Sequence, residues 1–161
     1  MPKIRHERDL RVPPMPAAEA LESLLDDIAS GAPGFEDFAL HLDLITVGFP
    51  DVGYVAVPIR LHIGEKRSDP KHAVSFTINA KRKEGAFPAF AGSMGIEARD
   101  GTTAILWLEG SYDAPLLFPH SAAEETLKNF ISDMGAQIDA RVQKHELART
   151  RYAMFDIHGS G

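Results

Sequence analysis

The sequence predicts an α+β domain in which a meander of antiparallel strands lies between two helices. Two observations predict this order: an apolar stripe of helical period near each end of the chain, and alternation of period two between them. Short turns join the successive strands, which is typical of antiparallel sheets. The 161 residues fit one domain. We expect residues 1–150 to form it and residues 151–161 to be a C-terminal tail.

The first helix is predicted over residues 17–29. Its apolar residues recur at the spacing of one helix face, namely Ala17, Ala20, Leu21, Leu24, Leu25 and Ile28. Pro16 is compatible with a first turn, where a missing N–H costs nothing, and Gly31 is expected to end the helix. Residues 3–12 before it are predicted to be an extended strand.

The strand predictions rest on alternation and on turn residues. Residues 55–63 and 74–80 alternate apolar with polar side chains, which indicates a hairpin pair. Residues 89–98 and 102–112 form a second pair, joined by a turn that contains Asp100-Gly101. Residues 40–47 are a further candidate strand.

A long second helix is predicted from Ser121 to about residue 149. Ser121 and Glu124 have the spacing of a capping box, in which each side chain bonds a free amide of the first turn. Six apolar residues then repeat with helical period: Leu127, Phe130, Ile131, Met134, Ile138 and Val142. Gly135 interrupts a good helix-forming sequence, so it is expected to allow either a close approach of a neighbouring element or a bend.

Composition excludes several classes of function. The net charge of −6 argues against a general nucleic-acid-binding protein, and the absence of cysteine excludes thiolate metal sites and disulfides. The seven histidines form no zinc motif, and no phosphate-binding loop or serine-nucleophile motif occurs. No apolar run approaches the roughly 18 residues of a membrane span, and no signal-peptide pattern follows the N-terminus. We therefore expect a cytoplasmic protein without metal or cofactor, without a nucleic-acid partner and without stable membrane insertion.

Three stretches carry a family resemblance: residues 11–27, a proline-containing segment leading into the first helix, residues 87–97, and residues 102–115, which end in Gly110-Ser111-Tyr112-Asp113-Ala114-Pro115. In these stretches and in its order of elements, the chain resembles the START-like helix-grip superfamily. That superfamily (SRPBCC) includes polyketide cyclases, lipid-transfer domains and pathogenesis-related allergens. The resemblance implies a curved antiparallel sheet of about seven strands wrapped around the long C-terminal helix, with an internal cavity between them. It also implies a small hydrophobic or amphipathic ligand, such as a lipid, an isoprenoid or an aromatic polyketide.

Large apolar side chains cluster in the second half of the sequence and are suited to line such a cavity. We predict lining residues from the sheet and from the long helix: Phe76, Ile78, Trp107, Tyr112, Phe130 and Met134. The Tyr112 hydroxyl would orient the polar end of a ligand. Both alternating faces of residues 105–112 begin with apolar side chains, so the sequence does not decide which face of that strand points inward.

Two other classes of function remain open. An enzyme of the cyclase or dehydratase type would use a cavity carboxylate or imidazole as acid or base, with Glu109, His41 and His62 as candidates. A protein-interaction module would instead use an exposed apolar patch. The apolar residues Leu116, Leu117 and Phe118 form such a candidate patch, and they would equally suit a cavity gate or the contact of a homodimer.

Overall fold

The computed structural model describes residues 3–36, 38–43, 54–66, 73–81, 87–113 and 120–159. Its elements are, in chain order, β1 (Lys3–Leu10), α1 (Pro14–Ser30), β2 (Ala39–Asp43), β3 (Tyr54–Lys66), β4 (Val74–Ala80), β5 (Ala89–Ala98), β6 (Ala104–Asp113) and α2 (His120–Gly159). Within these residues no helix is both long enough and apolar enough to cross a bilayer.

The six strands form one antiparallel sheet in the order β1-β6-β5-β4-β3-β2. Helix α2 contacts both edge strands, β1 and β2, so the sheet curls around it. This confirms the predicted α+β, helix-grip architecture. The expected number of seven strands is corrected to six in the described part of the chain. Alternation identifies strands, but it does not determine how many strands a curled sheet contains. Strand β3 is 13 residues long and has a bulge between Ile63 and Lys66, and a bulge bends its strand.

Helix α1 follows its predicted apolar stripe, and it begins three residues earlier than predicted, with Pro14 in its first turn. Gly31 ends it in the left-handed region, with φ 66° and ψ 39°. There the N–H of Gly31 donates to the Ile28 carbonyl (3.3 Å) and the N–H of Ala32 to the Asp27 carbonyl (3.0 Å). These two bonds satisfy carbonyls that the helix itself leaves free, which is why glycine is favoured at this position.

Helix α2 buries its whole predicted stripe, from Leu127 to Val142. The predicted start at Ser121 is wrong, because the helix already includes His120. Glu124 lies beside the His120 ring, with 3.1 Å between Oε1 and Nε2, and no capping bond from Ser121 is formed within the described residues. The helix also runs past residue 149 to Gly159.

The core lies between the concave face of the sheet and the two helices. Alternation places one side chain of every two on this inner face, including Ile59 and Leu61 of β3 and Leu106 and Leu108 of β6. The other face of the sheet, here called the outer face, carries residues such as Arg60, Thr77 and Glu109. The large apolar side chains of the domain are therefore collected on the inner face.

Candidate functional site

Five of the six predicted lining residues belong to one buried cluster between the sheet and the helices. They are Phe76, Ile78, Tyr112, Phe130 and Met134, each at most 5% exposed. Trp107, the sixth, lies outside this cluster, since its neighbours Leu106 and Leu108 occupy the inner face of β6. The structure thus brings five of the residues together and places the indole on the opposite face of the sheet.

Among the described residues, the interior between sheet and helices contains one small cavity. It has a volume of about 10 Å³ and lies among side chains of β2, β3, β5 and α2, including Leu40, Val57, Phe90 and Thr126. That volume is about one water molecule. The Thr126 hydroxyl donates to the Ala122 carbonyl (2.6 Å), so its buried polar atom is satisfied within the helix. A ligand of tens of atoms does not fit in this cavity.

A much larger opening lies where the edge strand β2 meets α2, and we call it the β2–α2 groove. Its volume is about 620 Å³. Its floor is apolar: Phe38 and Phe130 meet edge to face, with ring centroids 6.3 Å apart and an interplanar angle of 80°. Leu40, which is 6% exposed, lines both this groove and the small interior cavity. Leu40 therefore contacts both the groove and the interior cavity.

The rim of the β2–α2 groove is polar. It includes the exposed side chains of Glu36, His41 and Asp133, together with Gln137. Glu36 is held in place on one side, because its Oε2 accepts the Gly34 N–H (3.0 Å) and its carbonyl accepts the Lys81 ammonium (2.8 Å). None of the lining residues that the structure describes is Lys or Arg. An apolar floor beneath an acidic rim suits a molecule with an apolar body and a neutral or cationic end.

Elements distant in sequence build this groove. Residues 39–43 pair with the start of β3 and so form the edge strand beside α2. On α2, Phe130, Asp133, Ala136 and Gln137 recur at the spacing of one helix face and line the other side. The sequence-based site included Phe130 and missed Phe38, Leu40 and Ala136. The alternation from Phe38 to Leu40 was the available signal, but only the pairing of β2 with β3 shows that it faces α2.

The predicted polar handle, Tyr112, has its hydroxyl buried without a hydrogen-bond partner among the described residues. Its ring lies 6.1 Å from the Phe90 ring and 5.3 Å from the His120 ring, measured between centroids. A buried hydroxyl left unpaired is costly. Tyr112 therefore has free hydrogen-bonding capacity in the core, beside the first turn of α2.

The three candidate acid/base residues are dispersed. Glu109 lies on the outer face and forms an ion pair with Arg5. His62 is exposed on the outer face of β3, while His41 lies at the groove rim. Of the three, only His41 could reach a molecule in the β2–α2 groove. The predicted apolar patch, residues 116–118, lies outside the described residues.

Comparison with solved structures gives the fold a precedent. A norcoclaurine synthase point mutant from Thalictrum flavum, in complex with a transition-state analogue, superposes with a TM-score of 0.59 at 9% identity, covering 90% of this chain and 96% of that one. A conserved protein from Geobacillus kaustophilus gives 0.58 at 12% identity, covering 89% and 96%. This chain has the helix-grip fold. The structure of Ara h 8.0201 also matches, with a TM-score of 0.51 at 13% identity and coverage of 89% and 98%.

At the level of sequence, no protein-family model and no curated protein matches the chain. The structural likenesses, at 9–13% identity, concern the helix-grip fold alone. Function has to be argued from the site.

Proposed function

We propose that this helix-grip protein binds a small amphipathic molecule in the β2–α2 groove. The apolar body of the ligand would lie on Phe38, Leu40 and Phe130, and its neutral or cationic end would lie at the rim beside Glu36 and Asp133. The observation that carries the proposal is the groove itself. Its volume of about 620 Å³ falls in the range of roughly 300–1,000 Å³ that is usual for small-molecule sites, and an apolar floor with a few polar groups is their usual lining.

The fold supports the proposal by analogy. A norcoclaurine synthase with the same fold is known in complex with a transition-state analogue, so the helix-grip architecture accommodates small molecules. Fold analogy does not identify a ligand. The acidic rim of this groove narrows the choice for this chain, because it disfavours an anionic end near Glu36 and Asp133.

Leu40 gives the proposed site a route inward. Its side chain lines both the groove and the small interior cavity, so we propose that a rotamer change at Leu40 would let the tip of a ligand enter the core. There it would approach the predicted lining residues, among them Ile78 and Tyr112. An enzyme of the cyclase type would then need His41 as its acid or base, and turnover of the bound molecule would distinguish it from a carrier.

The test is a pair of matched substitutions on α2. Ala136 and Ala140 are both exposed residues of this helix, and only Ala136 lines the groove. Ala136→Phe places a ring in the groove without touching the core, whereas Ala140→Phe adds the same ring elsewhere. Binding is followed with Nile red, a neutral dye that fluoresces in apolar sites, and with native mass spectrometry of freshly purified protein.

We expect Ala136→Phe to weaken Nile red binding by at least about ten-fold, because displacing one apolar contact surface costs a ligand about 1.5–3 kcal/mol. Ala140→Phe should bind as the unmodified protein does, and both variants should keep its thermal unfolding midpoint. A removable adduct of a few hundred daltons, as compared with the denatured mass, would also identify the class of natural ligand. Equal binding by both variants, or no saturable binding of the dye to the unmodified protein, would contradict the proposal.

A further inference from the structure

A second groove lies on the outer face of the sheet, across β4, β5, β6 and β1, and we call it the outer groove. Its volume is about 680 Å³. It is separate from the β2–α2 groove, since the two share no described lining residue and that groove lies at the β2 edge of the sheet, next to α2. Neither the sequence pattern nor the fold comparison assigns it a role.

Strand register explains why the sheet is hollow here. Ser75 on β4, Ser93 on β5, Glu109 on β6 and Arg5 on β1 are successive cross-strand partners and form one row across the outer face. The outward positions of β5 all carry small residues up to Gly95: Ala89, Ala91, Ser93 and Gly95. The long side chains of the outer face therefore lie on β1 and β6, and the small residues of β5 leave a depression in the middle of the face.

Trp107 forms one wall of the outer groove. It is only 6% exposed although it lies on the outer face, and it stands opposite Gly95, which has no side chain to compete for the space. The indole N–H is buried and finds no acceptor among the described residues. A buried indole N–H is normally hydrogen-bonded, so this covered and unpaired donor next to the groove is an unusual feature of the outer face.

The other polar groups of the outer groove are donors as well. The hydroxyls of Ser75, Ser93 and Ser111 and the ammonium of Lys3 line it, and none of them has a side-chain partner within the described part of the chain. Lys3 stands directly across from Ser111. The one carboxylate among the described lining residues of the outer groove, Glu109, is paired with Arg5. Arg5 is also paired with Glu7, which stands across from Trp107 on β1, so the charges of Arg5 are taken up by carboxylates on the same face. The groove thus offers hydroxyl donors and one ammonium, that of Lys3, which no described carboxylate pairs, in contrast to the acidic rim of the β2–α2 groove.

We propose that the outer groove binds a small organic oxyanion, a carboxylate or a phosphate monoester, attached to a compact apolar body. The oxyanion accepts hydrogen bonds from Lys3 and from the serine hydroxyls, and the apolar body lies against Trp107 and the alanine methyl groups. Charge-assisted bonds of this kind are stronger than neutral ones, and a hydroxyl-lined hollow provides several donors to one anionic head. This binding is independent of the ligand proposed for the β2–α2 groove.

The test uses the fact that Trp107 is the single tryptophan of the chain. Its indole N–H gives one peak in a ¹H–¹⁵N correlation spectrum, and its fluorescence reports the same site. The protein is titrated with three probes of nearly equal shape, benzoate, benzamide and benzylamine, which are anionic, neutral and cationic, and with phenyl phosphate. We expect saturable shifts of the indole peak with benzoate or phenyl phosphate, and at least about five-fold weaker binding of benzylamine.

Two pairs of variants locate the binding. Lys3→Gln removes the free cation of the groove, and Lys128→Gln removes an exposed cation of α2 as its control. Ala91→Leu fills the groove, and Ala136→Phe fills the β2–α2 groove instead. We expect Lys3→Gln to weaken benzoate binding about five-fold and Ala91→Leu to abolish it, while the two controls leave it unchanged.

The proposal is overturned if no probe shifts the indole peak up to about 10 mM, if benzylamine binds as well as benzoate, or if Ala136→Phe reduces benzoate binding as much as Ala91→Leu does. The last outcome would mean that benzoate occupies the β2–α2 groove. Failure of Nile red to bind would contradict the other proposal and leave this one standing, because the two sites are read with different probes.

Discussion

Gly135, in the middle of α2, packs against the Arg8 side chain, and the contribution of this contact to stability can be measured. A Cβ built at Gly135 would overlap the guanidinium group and the Cδ of Arg8, which reaches from the inner face of β1 towards the helix. One turn further along α2, the Oδ2 of Asp139 lies 3.9 Å from the Nη1 of Arg8. The Oδ1 of Asp139 accepts the Arg11 N–H (3.0 Å). The glycine expected to permit either a close approach or a bend thus permits the close approach.

Two opposing effects decide what Gly135→Ala does to stability. Alanine in a helix interior is favoured over glycine by about 1 kcal/mol. The new methyl group must displace the Arg8 side chain, which is flexible and can move, at the cost of its packing and its ion pair with Asp139. An ion pair of partly exposed side chains is worth about 0.2–1 kcal/mol. We therefore expect a net change in the free energy of unfolding of less than about 1 kcal/mol in the unmodified background.

A double-mutant cycle with Arg8→Ala separates the helix preference from the clash. In the Arg8→Ala background the clash is gone, so Gly135→Ala should raise the free energy of unfolding by the full helix preference of about 1 kcal/mol. Urea unfolding of the four proteins gives the coupling between the two sites, expected at about 0.5–1.5 kcal/mol. If Gly135→Ala changes the free energy of unfolding equally in both backgrounds, within about 0.3 kcal/mol, the packing argument is refuted.

Three further predictions test single features. Asp100 accepts the N–H groups of Thr102 (2.7 Å) and Thr103 (2.8 Å) and the Thr102 hydroxyl, and these bonds lower its pKa from 3.8 to about 2. Its stabilising effect is therefore present above the unfolded pKa of about 3.9 and is lost as the pH falls towards about 2; an NMR titration with a midpoint near 4 would contradict this. Gly92→Ala should lower the free energy of unfolding by about 1–3 kcal/mol, since its Cβ would overlap the Glu109 carbonyl oxygen, whereas the control Gly101→Ala has open space and should not. Tyr112→Phe should raise the free energy of unfolding by up to about 1–3 kcal/mol, because it removes a buried hydroxyl that has no partner among the described residues; a loss above about 1 kcal/mol would reveal a bond.

Local rules predicted most of the elements. The stripe of α1 and its end at Gly31 depend on residues three and four apart, and the β5–β6 hairpin depends on the Asp100-Gly101 turn between two alternating segments. These determinants lie within a few residues of the structure that they specify. The start of α2 shows the limit of such rules: Ser121 and Glu124 have capping-box spacing, yet His120 is helical and packs its ring beside Tyr112. A tertiary contact outweighed the local preference.

The two grooves could not be predicted in the same way, because each depends on register between distant strands. The β2–α2 groove requires that β2 pair with β3 at the edge next to α2, and the outer groove requires that Ser75, Ser93 and Glu109 become neighbours across three strands. Alternation alone fixes which residues share a face, but not which residues of another strand lie beside them.

Strand β6 shows how the undecided face could have been assigned. Its two faces are both apolar at the start because Leu106 and Leu108 face the core while Trp107 faces the outer groove. The deciding signal lies on β5, where one alternating set is large (Phe90, Met94 and Ile96) and the other is small (Ala91, Ser93 and Gly95). A core face must be filled by large side chains, so the large set points inward. The antiparallel register opposite Ala104, Leu106 and Leu108 then requires that Trp107 point outward, over the glycine that leaves room for it.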